Sequence, residues 1–237
     1  MNTTISKWGV GVLALFLVLG TSVPVNAQTL NEAPVGVYVS HNDDEDEDEY
    51  RSYRRSGYSS SLRRKIDKLD NDPVEEMPIP VVLGVAVRQL QDNFGDPRDG
   101  GARTHEGLDI MAPRGAAVAS PTEAVVTRTG EGSSSGIYVQ TANPGGEIFN
   151  YYHLDEIADG IKAGVELKVG DIIGYVGDTG NAKGTSPHLH FEIREGRTAT
   201  DPLPRLTEEF PDKVRIAVLT DLLEELQKEL ARLLRNA

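Results

Sequence analysis

The sequence predicts a mainly β domain of antiparallel strands over about residues 79–204 of a 237-residue chain. Three observations carry that prediction. Short runs rich in Val, Ile and aromatic residues recur as Val81–Val87, Ala124–Thr127, Ile137–Thr141, Ile148–Tyr152, Ile172–Val176 and Leu189–Ile193. The breaks between them, including GEGSSSG, NPGG and GDTGNAKGTSP, are turn material. No ten-residue helical pattern separates the runs, which argues against alternating helices and parallel strands and for loops gathered at the rim of an antiparallel sheet.

Ahead of this domain the chain reads as two further segments. Residues 1–27 resemble an export signal: Lys7 precedes the apolar run Trp8–Leu19, and Val25-Asn26-Ala27 offers a cleavage site before Gln28. The run is about a dozen residues, short of the roughly 20 that span a bilayer; an uncleaved anchor would need it extended to Val25. Either reading places the rest of the chain outside the cytoplasm: periplasmic, wall-associated or secreted. Residues 28–78 read as a disordered linker or pro-segment, because the acids Asp43 to Glu49 are followed by a basic, serine-rich stretch that buries little. Leu62, Ile66 and Leu69 would allow a turn or two of amphipathic helix there. Met77-Pro78-Ile79-Pro80 then makes a stiff, non-helical entrance to the domain.

Residues 205–237 close the chain with an amphipathic helix. Leu219, Leu222, Leu223, Leu226, Leu230 and Leu233 recur at three- and four-residue spacing from about Pro211 to Leu234. Asp221 with Glu224 resembles a cap. The stripe fits either a self-association or partner seam, or packing on the helix's own domain, and the segment is too charged to cross a membrane.

Composition removes whole classes of function. With 24 Lys+Arg against 37 Asp+Glu the net charge is −13, unsuited to a nucleic-acid partner whose phosphates need cations. The absence of cysteine excludes disulfides, cysteine zinc knuckles, cysteine nucleophiles and a lipid anchor on a cysteine.

The chemistry concentrates in three motifs that hold four of the five histidines: His105-Glu-Gly-Leu-Asp109, Tyr151-Tyr-His153-Leu, and His188-Leu-His190-Phe-Glu-Ile193. Along a strand, His188, His190 and Glu192 share one face while Leu189, Phe191 and Ile193 face the core. Two histidines so placed lie ~6–7 Å apart, suited to one metal ligand and one neighbour acting beside it. His105 and Asp109 would lie ~13 Å apart on a straight strand, so sharing a metal demands a bend, for which Gly107 supplies backbone freedom. A helical zincin reading with Glu106 as base fails, because Gly107 and the following Ala-Pro-Arg-Gly do not sustain a helix. Imidazoles with one carboxylate match the donor set of catalytic zinc with an open position.

Arg103-Thr-His105-Glu-Gly-Leu-Asp109-Ile, Tyr151-Tyr-His153-Leu, VELKVGDIIGYVGDTG from Val165 to Gly180, and Pro187-His188-Leu-His190-Phe-Glu-Ile193 resemble the lysostaphin/LytM-type zinc endopeptidases of bacteria, the glycyl-glycine endopeptidase family. The resemblance covers roughly residues 85–203. It implies an antiparallel, barrel-sandwich-like sheet with a duplicated hybrid motif and a groove walled by loops. It further implies Zn2+ held by His105, Asp109 and His190, with His153 and His188 catalytic and Tyr151 at a substrate-binding position. The implied function is an exported zinc metalloendopeptidase that hydrolyses peptide cross-links of peptidoglycan, its partner being the peptidoglycan peptide. The alternative is a non-catalytic wall-binding or regulatory module; relatives of that kind lack ligands or catalytic histidines, whereas all five residues are present here. A biotinyl-like carrier module, suggested by VGDIIGYVG alone, lacks the lysine its turn would need. Two departures stand out: Gly184–His188 is longer than the usual G-P-H-L-H approach, and Phe94-Gly-Asp-Pro-Arg98 has one residue more than F-G-x-R.

Overall fold

Strands with an apolar residue at every second position need hydrogen-bonding neighbours at their edges and a core on one face. The computed structural model describes residues 57–235, so the expected signal segment and the acidic run lie outside the described residues. In chain order the elements are helix α1 (Ser60–Ile66), strands β1 (Met77–Pro78), β2 (Pro97–Arg98), β3 (Arg103–Thr104), β4 (Leu108–Met111), β5 (Ala117–Ala119), β6 (Ala124–Gly132), β7 (Gly136–Ala142), β8 (Ile148–Ile157), β9 (Glu166–Leu167), β10 (Ile172–Val176), β11 (His188–Glu195), β12 (Thr198–Thr200) and β13 (Leu206–Glu208), and helix α2 (Asp212–Arg235).

Nine strands form one antiparallel sheet in the order β12-β11-β8-β7-β6-β9, with β4 added beside β11 and β10 bridging β8 to β5. The expected mainly β, antiparallel fold with a C-terminal helix is the fold observed. Val139, Phe149, Tyr151, Phe191 and Ile193 point to one side and form the fully buried core with Leu108, Ile110 and Leu189. Thr127, Gln140, Asn150, Tyr152, His190 and Glu192 occupy the alternate positions, so the opposite face of the same strands carries the polar groups.

Val81–Val87 does not become a strand. Val81 makes a single bridge to Val118, and Gly84 at φ +86° turns the chain before a 3-10 turn at Val87–Gln89. The residues are still buried where it matters: Val81 and Val82 enter the core, so the valine-rich run records burial without a ladder.

The expectation of a disordered 28–78 is corrected for residues 57–78. Leu62 and Ile66 of α1 are buried against Val125, Ala142 and Ile148, and Ser59 caps the helix by accepting from the Leu62 N–H. Lys65 donates to the Gly164 carbonyl at 2.6 Å. Met77 is fully buried, and β1 pairs in parallel with β13, so Leu206–Glu208 also belongs with the domain rather than with the terminal helix. Arg205 ties both ends by donating to the Val74 carbonyl and to the buried Glu147 carboxylate. Charge composition misled here because three apolar residues at helical spacing suffice to dock one short helix on an apolar patch.

Helix α2 runs unbroken from Asp212, so Asp221 and Glu224 lie in its interior and do not cap it. Val214 and Val218 pack with Phe210 against Val82, Ala117 and Ala119. Beyond them Leu219, Leu222, Leu223, Leu226, Leu230 and Leu233 are all exposed, so the stripe is not packed on its own domain.

Two substitutions test this division of the chain. Ile66→Ala should destabilise by about 2–4 kcal/mol, as for a buried aliphatic side chain, and Leu226→Ala should change stability by no more than about 0.5 kcal/mol. Equilibrium denaturation of both variants measures the difference.

Candidate metal centre

The register of three strands builds the site. On β11, His190 stands directly opposite Asp109 of β4 on one side and opposite Tyr152 of β8 on the other. Directly paired residues point to the same face with Cβ atoms about 5 Å apart, so pairing alone brings a histidine and a carboxylate together. His105 reaches them from just ahead of β4, as the bend at Gly107 was expected to allow. The structure gives Gly107 a different reason: a Cβ there would lie 2.6 Å from the Phe191 carbonyl and 2.8 Å from His190 Nε2. Only a residue without a side chain lets the chain cross β11 this closely.

Three donor atoms converge. His105 Nε2 lies 3.0 Å from Asp109 Oδ1 and 2.9 Å from His190 Nδ1, and His190 Nδ1 lies 2.8 Å from the same Oδ1. The other ring nitrogens are committed outward. His105 Nδ1 donates to the Asn93 carbonyl at 2.6 Å, and His190 Nε2 donates to Glu192 Oε1 at 3.2 Å. In the neutral tautomers, two imidazole lone pairs and a carboxylate oxygen therefore face one point, an arrangement that requires positive charge between them. Titration reflects the same need. Burial opposes a charged His190, yet its hydrogen bonds to Asp109 and Glu192 raise its pKa overall. Burial would raise Asp109, but hydrogen bonds from His105 and His190 hold it well below the usual carboxylate range. A tetrahedral zinc with bonds of about 2.0–2.2 Å spaces its ligands roughly 3.3–3.6 Å apart, a few tenths of an ångström wider than this triangle. The residues fit such an ion.

Two more histidines flank the triad. Between Val139 and Ile137 of β7 lies one residue, whereas the paired Tyr151 and Leu154 of β8 enclose two, Tyr152 and His153. That bulge, with His153 at φ +61°, turns a side chain that alternation would send to the core towards the site. His153 Nδ1 donates to the Thr179 carbonyl at 2.9 Å, leaving Nε2 the lone pair. Burial, then the neighbouring His188 and His190, lowers its pKa to about 4, so it is neutral at pH 7. His188 repeats the pattern: Nδ1 donates to the Ser186 carbonyl at 2.9 Å, and Nε2 lies 3.9 Å from Asp109 Oδ1. The two rings meet edge to face with centroids 5.1 Å apart.

Tyr151 is corrected. Its side chain is fully buried against Phe191, and burial pushes its phenol pKa up, so it cannot meet a substrate. Alternation along β8 gives the exposed role to its neighbour. Tyr152 stacks on His190 at 5.6 Å and lines a cavity of about 360 Å³ with Glu106, Gln140, Asn150, Glu192 and Arg194.

Residues 103–202 match Peptidase family M23. This stretch is an M23 peptidase domain. The chain is 34% identical over 139 residues to the L-Ala--D-Glu endopeptidase of Bacillus subtilis, covering 54% of this chain and 42% of that protein. It is 32% identical over 110 residues to the peptidoglycan DD-endopeptidase ShyC of Vibrio cholerae, covering 45% of this chain and 24% of that one. It thus spans less than half the length of either relative. The solved catalytic domain of the antimicrobial peptidase lysostaphin from Staphylococcus simulans is 27% identical over 52% of this chain and 96% of its own, with a TM-score of 0.45.

Sequence reasoning missed three partners within the M23 domain's site. Asn93 accepts from the Asp109 N–H through its side chain as well as holding His105, and Arg98 donates to Asp109 Oδ2 at 2.8 Å. Both lie upstream across a loop; Arg98 was in view as the arginine of the motif compared with F-G-x-R, but its partner was not, and Asn93 had no local signal. Glu192 was visible as a face-mate of His190, and that i,i+2 relation was the available signal.

Gly107→Ala should place a methyl group against β11 and cost about 1–3 kcal/mol as overpacking. It should also lower the metal content of the purified protein, measured by elemental analysis beside thermal unfolding.

Proposed function

We propose that this chain is an exported zinc endopeptidase that hydrolyses peptide bonds in bacterial peptidoglycan, with His105, Asp109 and His190 as ligands. The observation that supports it most strongly is the convergence of three lone pairs at one point beside two histidines that both keep Nε2 free. The two relatives, an L-Ala--D-Glu endopeptidase and a peptidoglycan DD-endopeptidase, support the substrate class.

A zinc ion held there supplies Lewis-acid polarisation of a carbonyl and activation of water. The residues supply the proton traffic. The Nε2 lone pair of His153 or His188 accepts a proton from the attacking water, and the same imidazole then delivers that proton to the nitrogen of the departing amine. Backbone carbonyls hold both Nδ1–H groups and so fix the tautomer in which Nε2 is basic. Tyr152 and the polar cavity beside His190 form a wall against which the peptide lies.

Single alanine variants divide the five residues. Loss of His105, Asp109 or His190 should abolish zinc binding, with some loss of stability because metal binding couples to folding. His153→Ala and His188→Ala should retain near-stoichiometric zinc and lose about 10²–10⁴-fold in turnover. Elemental analysis beside mass analysis of released peptidoglycan fragments, with zinc and after chelation, checks both. Zinc lost from the His188 variant and kept by the His190 variant would reverse that pair. A zinc-loaded wild type inert on every wall substrate would favour a binding module.

Export rests on the segment ahead of Gln28. N-terminal sequencing of secreted protein should begin at or near Gln28, and a mature chain that still carries Trp8–Leu19 would instead be anchored.

A further inference from the structure

The row of side chains next to the metal row on the same sheet face forms a continuous chain of hydrogen bonds across four strands. Thr127 of β6 donates to the side-chain oxygen of Gln140 on β7 at 3.2 Å, and to that residue's backbone carbonyl at 3.1 Å. Gln140 Nε2 donates to Asn150 Oδ1 on β8 at 2.8 Å, and Asn150 Nδ2 donates to Glu192 Oε2 on β11 at 2.8 Å. Glu192 Oε1 then accepts from His190 Nε2 at 3.2 Å. Gln140 with Asn150, and Asn150 with Glu192, are directly paired across their ladders, so the register that builds the site also builds this row. Thr127, Asn150 and Glu192 are each at most 7% exposed.

We infer that Thr127, Gln140, Asn150 and Glu192 form a positioning relay that fixes the tautomer and ring angle of His190 and thereby sets the affinity of the centre for zinc. The chemistry runs one way. Each amide receives on its oxygen and gives from its nitrogen, so every donor points along the row towards Glu192. There Asn150 and His190 both present N–H groups, with Arg194 joining Oε2 at 3.4 Å and held in turn by Glu106 at 2.9 Å. Facing donors from both sides, the group at position 192 must accept with both oxygens, which a carboxylate does and an amide does not. His190 is then obliged to carry its proton on Nε2 and to keep the Nδ1 lone pair for the metal. Donors aligned in series polarise one another, so a change at Asn150 reaches His190 although it touches neither the ring nor the ion.

The inference rests on the metal centre proposed above, and peptide hydrolysis plays no part in its test. The zinc affinity of the full-length protein is measured by competition with a chromophoric chelator, without substrate. Glu192→Gln, nearly isosteric, should weaken zinc binding by about 10–100-fold, the range for partners that orient a ligand. Asn150→Leu should weaken it by a smaller factor of several-fold, and Glu192→Asp, which keeps two acceptor oxygens, should recover part of the loss. The Co2+-substituted protein should show a shifted ligand-field spectrum in Glu192→Gln. Zinc affinity within twofold of wild type in both Glu192→Gln and Asn150→Leu, with unchanged Co2+ spectra, would overturn the relay. If Asn150→Leu fails to fold, the Glu192→Gln and Glu192→Asp pair decides alone. Tight zinc binding in a wild type with no hydrolytic activity would remove the peptidase reading and leave the relay intact.

Discussion

The pairing of β11 with β4 on one edge and β8 on the other is the constraint on which the rest depends. It sets Asp109, His190 and Tyr152 in one row across three strands, and Gln140, Asn150 and Glu192 in the next. A slip of one residue would carry each of these side chains to the opposite face. The slip is prevented by the core side of the same strands, where Leu189, Phe191 and Ile193 interlock with Leu108, Ile110, Phe149 and Tyr151. The apolar residues thus hold the geometry of the histidine and aspartate row without touching it. Phe149 and Tyr151 both pack on Phe191, with ring centroids 5.4 and 5.3 Å apart.

Local exceptions are then used to break the alternation where chemistry needs it. Gly107 removes a side chain so that the His105 segment can cross β11, and the bulge at Tyr152–His153 turns one histidine out of the core. A histidine at positive φ is costly for a residue with a Cβ, and several contacts hold it there. Its N–H donates to the Ser135 carbonyl and its ring to the Thr179 carbonyl, while Thr179 itself donates to the Leu154 carbonyl. Gly136 and Gly180 allow the two supporting loops to touch: a Cβ on either would lie 2.2 Å from the other loop.

Much of this architecture was legible in the residues. Period-two alternation in His188–Ile193 predicted which side chains face the site, and turn-rich breaks delimited five of the six strands because both signals are local. The segment Val81–Val87 failed because β-branched residues report burial as readily as strand pairing. Tyr151 failed for a related reason: its place in a motif suggested contact with substrate, whereas parity along β8 assigns it to the core and Tyr152 to the site. Residues 57–78 were hidden by the charged stretch around them, since a few buried contacts from Leu62, Ile66 and Met77 leave little trace in composition. Asn93 depends on a loop returning to β4, a long-range closure that no spacing encodes, and the motif ending in Arg98 gave that residue without its partner Asp109.

The loop that carries Asn93, Arg98 and His105 has little architecture of its own. Its ribbon, β2 with β3, pairs only Pro97 with Thr104 and Arg98 with Arg103. Its polar contacts with the main sheet run from Asn93, Arg98 and His105 to Asp109, from His105 to His190, and from Glu106 to Arg194, while Leu90 packs on the core. In a chain without cysteine, an ion shared by His105, Asp109 and His190 would work as a clasp between this loop and the sheet. Segments with few buried contacts are the first to open, and a bound ion raises the free energy of that opening by mass action. An ion held there would therefore slow the opening of this loop and any proteolytic cut that depends on it.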